Sequence, residues 1–207
     1  MPSKANYRRI LVAAAMAAAA SMAWTSGPAL AAGTATAVTT AGHNFKIANI
    51  GNITVSVSVL SGSCSSLNAT GTVPTTNNPN PSGPVSGPIS APAITGCTAP
   101  FETVTVTTSG AWTIAAQYGS PSTASLHVPA NGVTVHASGL ITCTATGGNV
   151  DLSGPVTLGT NSTTNPTYIQ ASATVPVSGC PFTTATISGK AGIYDTTNSS
   201  LPILVAP

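Results

Sequence analysis

Few residues of this 207-residue chain could do chemistry. They are three acids (Glu102, Asp151, Asp195), three histidines (His43, His127, His136) and four cysteines (Cys64, Cys97, Cys143, Cys180). Glycoside hydrolysis needs two carboxyls flanking one sugar ring. Here the acids are isolated in sequence, and none sits near an obvious Trp or Tyr sugar platform. Acyl transfer by a nucleophile elbow needs G-x-S-x-G, which is absent. In "LHVPANGVTVH" (126–136), Pro129-Ala130-Asn131-Gly132 reads as a hairpin turn, because Asn and Gly tolerate positive φ. That hairpin would set His127 opposite Thr134, with His136 diagonally across on the same face. Two imidazoles could share a metal, but no third ligand is evident, so they read as ordinary strand histidines. The sequence therefore assigns no catalytic, cofactor-binding or metal-binding residue.

The cysteines carry a clearer message. An even count with no C-x-x-C pair argues against a zinc ribbon or a thioredoxin-like site. It argues for two disulfides in an oxidising compartment. Three connectivities are open. Equivalent positions in an internal repeat favour Cys64–Cys97 with Cys143–Cys180, although Cys64–Cys143 with Cys97–Cys180 is also symmetric.

That repeat shows where the chain echoes itself. Residues 100–106, "PFETVTV", match 181–187, "PFTTATI", each preceded by a Cys. "ITVSVSVLSGSC" (53–64) parallels "VTVHASGLITC" (133–143), and "LHVPA" (126–130) parallels "ILVAP" (203–207). A period near 80 residues is too long for a solenoid and suits a duplicated β unit. The expected organisation is a signal peptide at 1–31, an N-terminal extension at 32–50, and β repeats at 51–130 and 131–207.

Each repeat alternates at the strand period. Ile53, Val55, Val57 and Val59 point one way, and Thr54, Ser56 and Ser58 the other. Further strands are expected near 112–118, 140–146, 149–157, 167–176 and 183–188, with no amphipathic helix. Phe45, Phe101, Trp112, Tyr118, Tyr168, Phe182 and Tyr194 are expected to anchor the core. Trp112 matches Ile193 in the repeat, which favours packing over ligand binding. The Pro-rich stretch 74–93 reads as a solvent-exposed, polyproline-like excursion. The fold class is all-β: a disulfide-stapled sandwich of Ig-like or related Greek-key topology, in two similar halves.

The first 31 residues hold Lys4, Arg8 and Arg9, then an apolar run at 10–24 and Ala29-Leu30-Ala31, the plan of a secretory signal. The Arg8-Arg9 pair loosely resembles a twin-arginine signal, but an ordinary Sec signal is the simpler reading. "LPILVAP" has neither a hydrophobic tail nor a basic stop, so no wall anchor is expected. Removing the signal leaves two basic residues, Lys46 and Lys190, against the three acids, for a formal charge of −1. Charged residues are only 4% of the chain, while hydrophobic residues are 42%. This excludes a nucleic-acid partner, which needs a basic patch. Nor is this a typical disordered chain, which would be charged and poor in apolar residues. No membrane span is expected after signal removal. Near-zero charge favours association. Asn52, Asn68, Asn161 and Asn198 begin N-x-S/T matches that read as incidental.

"SGLITCTAT" (138–146) and "VSGCPFTTATISG" (177–189) resemble segments of small, charge-poor secreted β proteins of actinobacteria. They are distantly similar to the secreted alkane-oxidation activator family, whose strands are comparably Cys-flanked and Thr-rich. That resemblance implies association with cell surfaces and carries no catalytic residues. The enediyne apoproteins are also secreted, Ig-like and two-disulfide. Their disulfide loops are much shorter than the spacings here, and their chains are not duplicated. The expected function is a secreted structural or surface-associated, non-catalytic protein, whose partners are copies of itself or the cell envelope. A binding module for a small apolar ligand or carbohydrate is the alternative, and an exported enzyme the least favoured.

Overall fold

The structure, a computed structural model, describes residues 35–57, 60–99, 102–137, 141–145, 150–179 and 181–207, with the backbone alone at 57, 60, 102, 103, 137 and 141–145. The expected signal peptide, Phe101 and Cys180 lie outside the described residues, as does the side chain of Cys143.

β-branched and Thr-rich segments punctuated by Gly, Pro and Asn form fifteen strands, with no helix among the described residues. The first eight are β1 (Ala37–Val38), β2 (Asn44–Asn49), β3 (Ile53–Val57), β4 (Leu60–Thr72), β5 (Val85–Ile89), β6 (Ala93–Ala99), β7 (Glu102–Thr108) and β8 (Trp112–Gln117). The rest are β9 (Thr123–Val128), β10 (Val133–Ala137), β11 (Ile141–Ala145), β12 (Val150–Asn161), β13 (Pro166–Ser178), β14 (Thr184–Asp195) and β15 (Val205–Ala206). The protein is all-β, as the alternation requires. The last strands run longer than their patterns suggest, with β14 extending to Asp195.

The ladders close on themselves in two circuits. The first runs β4–β5–β8–β9–β12–β13–β14–β2 and back to β4. The second runs β3–β4–β6–β7–β10–β11–β13–β14 and back to β3. β4, β13 and β14 are long enough to serve both. Closure removes most of the exposed sheet edge on which chains aggregate.

The pairing order has a two-fold. Replacing β2, β4, β5 and β8 by β9, β12, β13 and β14, and the reverse, returns the first circuit to itself. Replacing β3, β4, β6 and β7 by β10, β11, β13 and β14 does the same for the second. The registers agree: Ile193 faces Ile47 as Ile114 faces Leu126, and Ile187 faces Val55 as Val106 faces Val135. The two-fold groups β2 with β3–β8 and β9 with β10–β14. Strands of 51–130 pair with strands of 131–207 at β9–β12, β7–β10 and β3–β14, so the two stretches share their ladders.

One buried cluster runs through both circuits, including Phe45, Ile47, Ile53, Leu67, Trp112, Val133 and Val175. Cys64 and Cys97, directly opposite in β4 and β6, form a disulfide inside it. This pairing fits an oxidising compartment.

Three expectations need correction. The turn at 129–132 exists, with the Gly132 N–H donating to the Pro129 carbonyl at 2.8 Å and Asn131 at φ 57°. Its arms, however, do not pair. β9 joins β8 and β12 in the first circuit, while β10 joins β7 and β11 in the second. The turn passes the chain from one circuit to the other. Second, the Pro-rich stretch is not wholly an exposed excursion. Val85, Gly87 and Ile89 of β5 face inward and alternate with exposed Ser86 and Pro88, and Pro92 is fully buried. Third, the aromatics divide. Phe45 and Trp112 are core residues, and Tyr118 packs on a satellite cluster around Ala124, Val156, Ile169 and Val205. Tyr168 and Tyr194 instead stand partly exposed beneath lysines.

Candidate functional site: two histidine–aspartate pairs and a hydroxyl-clad lobe

Both aspartates of the chain hold a histidine. On the outside of the first circuit, His127 of β9 faces Asp151 of β12, and its Nδ1 lies 2.8 Å from Asp151 Oδ1. This pair is solvent-exposed on the Asp side. The second pair is built differently. His43 precedes β2, Asp195 ends β14, and His43 Nδ1 lies 2.7 Å from Asp195 Oδ2. The Asp195 side chain has no solvent exposure. Its other oxygen accepts the N–H groups of Thr197 and Asn198, each at 2.8 Å, which closes the turn after β14. Asn161 clamps the Asp195 backbone, accepting its N–H at 2.8 Å and donating to its carbonyl at 2.9 Å. Burial pushes the Asp195 carboxyl up. The Asn198 N–H, the His43 side chain and the Thr197 N–H outweigh it, so the carboxyl stays below its ordinary value.

An Asp that fixes a His through Nδ1 is the orienting half of a catalytic triad. The missing half is a nucleophile on Nε2. Among the described residues neither His43 nor His127 has such a hydroxyl partner, and no cluster of three His, Cys, Asp or Glu residues forms. The arrangement the sequence suggested, His127 and His136 on one hairpin face, does not occur. His136 lies between Thr105 and Thr142 in the second circuit, because β9 and β10 diverge. The Glu102 side chain lies outside the described residues.

The lysines are matched too. Lys46 sits over the Tyr194 ring and Lys190 over the Tyr168 ring, each 5.3 Å from the centroid. Lys46 and Tyr194 are direct cross-strand neighbours. Lys46, Lys190, Asp151 and Asp195 all lie on strands of the first circuit.

The outside of the second circuit carries hydroxyls instead. Ser172, Ser188, Thr54, Ser63 and Thr98 are consecutive cross-strand partners over β13, β14, β3, β4 and β6. A second row runs Thr174, Thr186, Ser56 and Ser61. Within it, the Ser56 and Ser61 hydroxyls are 3.1 Å apart, and those of Thr174 and Thr186 are 3.4 Å apart. Neighbouring strands sit about 4.8 Å apart, so the rows form a regular hydroxyl lattice. An open hollow of about 440 Å³ lies over Thr54, Ser61, Ser63 and Thr98. Among the described side chains of this circuit's outer rows there is no Asp, Glu, Lys or Arg.

Inside the first circuit, Val38, Phe45, Ile114, Val156, Ile193 and Val205 help to enclose an apolar cavity of about 50 Å³. Ligand pockets usually span about 300–1,000 Å³, so this space is a packing void.

No family model, curated protein or solved structure matches this chain. The sequence pattern anticipated the alternating hydroxyls. It missed both His–Asp pairs, because their partners lie 24 and 152 residues apart and no local motif marks them.

Proposed function

We propose that this is an exported, non-catalytic structural protein of the cell surface that associates with copies of itself or with the cell envelope. The observation that carries the reading is the segregation of charge. The described charged side chains, Lys46, Lys190, Asp151 and Asp195, lie on strands of the first circuit, each against a His or Tyr, while the second circuit, which holds Glu102 on β7, presents rows of Ser and Thr. A neutral, hydrogen-bonding surface has little colloidal repulsion, so close approach of neutral faces costs little. The Cys64–Cys97 disulfide and the sequence of residues 1–31 support export. We also infer that the two-fold in the pairing order descends from a duplicated unit, as the echoes of 100–106 with 181–187 and of 53–64 with 133–143 suggest; the echo of 126–130 with 203–207 does not follow it.

Light scattering over a concentration series, together with fractionation of the host and intact-mass measurement, tests the reading. The expected result is a scattering mass that rises with concentration and a surface or medium fraction whose mass lacks residues 1–31. A strict monomer at high concentration, or a cytosolic product with reduced thiols, would overturn it.

A further inference from the structure

β1 is the first described strand, and it belongs to neither circuit. It forms a separate two-stranded ladder with β15, with Ala37 opposite Ala206 and Val38 opposite Val205. All its other anchors are distant in sequence. The Thr36 hydroxyl accepts from Gln117 Nε2 at 2.6 Å and from the Tyr118 N–H at 3.1 Å. Backbone bonds of 2.7–2.8 Å tie Thr36 to Asn80. The Asn78 side chain accepts from the Val38 N–H and donates to the Val38 carbonyl. Thr36 is fully buried, and Val38 forms part of the cavity wall with Val205, Ile203 and Phe45. The segment is thus a strap across the apolar interior of the first circuit. Without it, that wall would be open to water.

The hinge that returns this strap to its own chain is strained. Thr40, between β1 and β2, has φ 60°. A β-branched residue there is a genuine outlier, since its Cβ crowds the backbone. Gly42 at φ 83° completes the reversal. Short hinges under strain invite exchange between copies, because opening relaxes the hinge while every other contact is remade identically on the second copy.

We propose that β1 is an exchangeable strap: in the assembled protein, residues 36–39 of one copy pair with β15 of a second copy and close that copy's interior. This rests on the self-association reading and supplies its linkage. The partner is a second copy of this chain, because each anchor of the strap is specific to its own sequence.

Full chains carrying Val38→Cys are mixed with full chains carrying Val205→Cys at a concentration where the wild type assembles, then oxidised and peptide-mapped. The expected product is a 38–205 disulfide between the two chains, since that pair faces across the ladder. The second measurement leaves both valines in place. Thr40→Gly accepts positive φ without a Cβ clash and is expected to lower the assembled fraction about fivefold or more. Assembly with no 38–205 cross-link and no response to Thr40→Gly would overturn the strap and leave the self-association reading standing. A wild type that never assembles would overturn both.

Discussion

The imidazole of His43 and the carboxylate of Asp195, 152 residues apart in sequence, meet at 2.7 Å on a carboxylate that water does not reach. With the N–H groups of Thr197 and Asn198, this contact ties the start of β2 to the end of β14, next to the interior that β1 closes. The pair fastens the first circuit where its two ends meet.

Asp195 should therefore make the protein acid-sensitive. Its carboxyl sits lower in the folded state than the ordinary value of 3.8. A group with a depressed folded pKa stabilises above its unfolded pKa, and the contribution is lost as pH falls through the folded value. Asp195→Asn is expected to cost about 1–3 kcal/mol at pH 7. The gap to wild type should shrink below about pH 4, as wild-type Asp195 itself is protonated. Denaturant titrations at several pH values check this; a gap independent of pH would refute it.

The disulfides make a second prediction. Cys64–Cys97 spans 33 residues, and Cys64→Ser with Cys97→Ser should lower stability by about 3–4 kcal/mol on the chain-entropy account. The β11–β13 register sets Thr144 opposite Ser178, adjacent in sequence to Cys143 and two residues before Cys180. Non-reducing peptide maps are expected to show a Cys143–Cys180 link as well. A map with Cys143 joined to Cys64 or Cys97 would contradict both.

Gly71 offers a packing test. A Cβ on it would lie 2.5 Å from Phe45 Cζ and 3.0 Å from Ile89 Cγ2. Phe45 is a core residue. Gly71→Ala is expected to destabilise by about 1–3 kcal/mol through overpacking. Thermal unfolding measures it; Gly71 has no positive φ, so the loss reports crowding, in contrast to Gly51→Ala, where no atom is near the would-be Cβ and only the φ of 73° opposes the change.

The hydroxyl rows predict a different kind of variant. Thr54→Lys with Ser63→Lys places like charges on direct cross-strand neighbours of the second circuit. Like pairs so placed cost up to about 1 kcal/mol, so the fold should survive. Self-association should weaken, and ionic strength should restore it. Light scattering at low and high salt is the measurement; unchanged association at both would discount the neutral face.

Much of this architecture was legible because alternation is local. Ile53, Val55, Thr54 and Ser56 reveal a strand and its two faces without any partner in view. Partners were not legible, since nothing in 126–136 tells that Val128 and Val133 enter different circuits across an otherwise well-formed turn. Proline misled at 85–89: Pro88 points outward from a strand whose inward residues, Val85 and Ile89, are buried. Lys46 and Tyr194 looked unrelated until β2 and β14 brought them side by side. Echoing motifs 80 residues apart pointed to paired units, yet not to the interleaving, because similarity between segments is silent on whether each folds alone.

That interleaving governs how the molecule comes apart. β4, β13 and β14 are shared beams, and pulling any one of them loose strips hydrogen bonds from both circuits at once. Neither lobe can melt while its neighbour stays native, so calorimetry should record a single cooperative transition whose van't Hoff and measured enthalpies agree. Such all-or-none behaviour leaves proteases no half-open intermediate to attack.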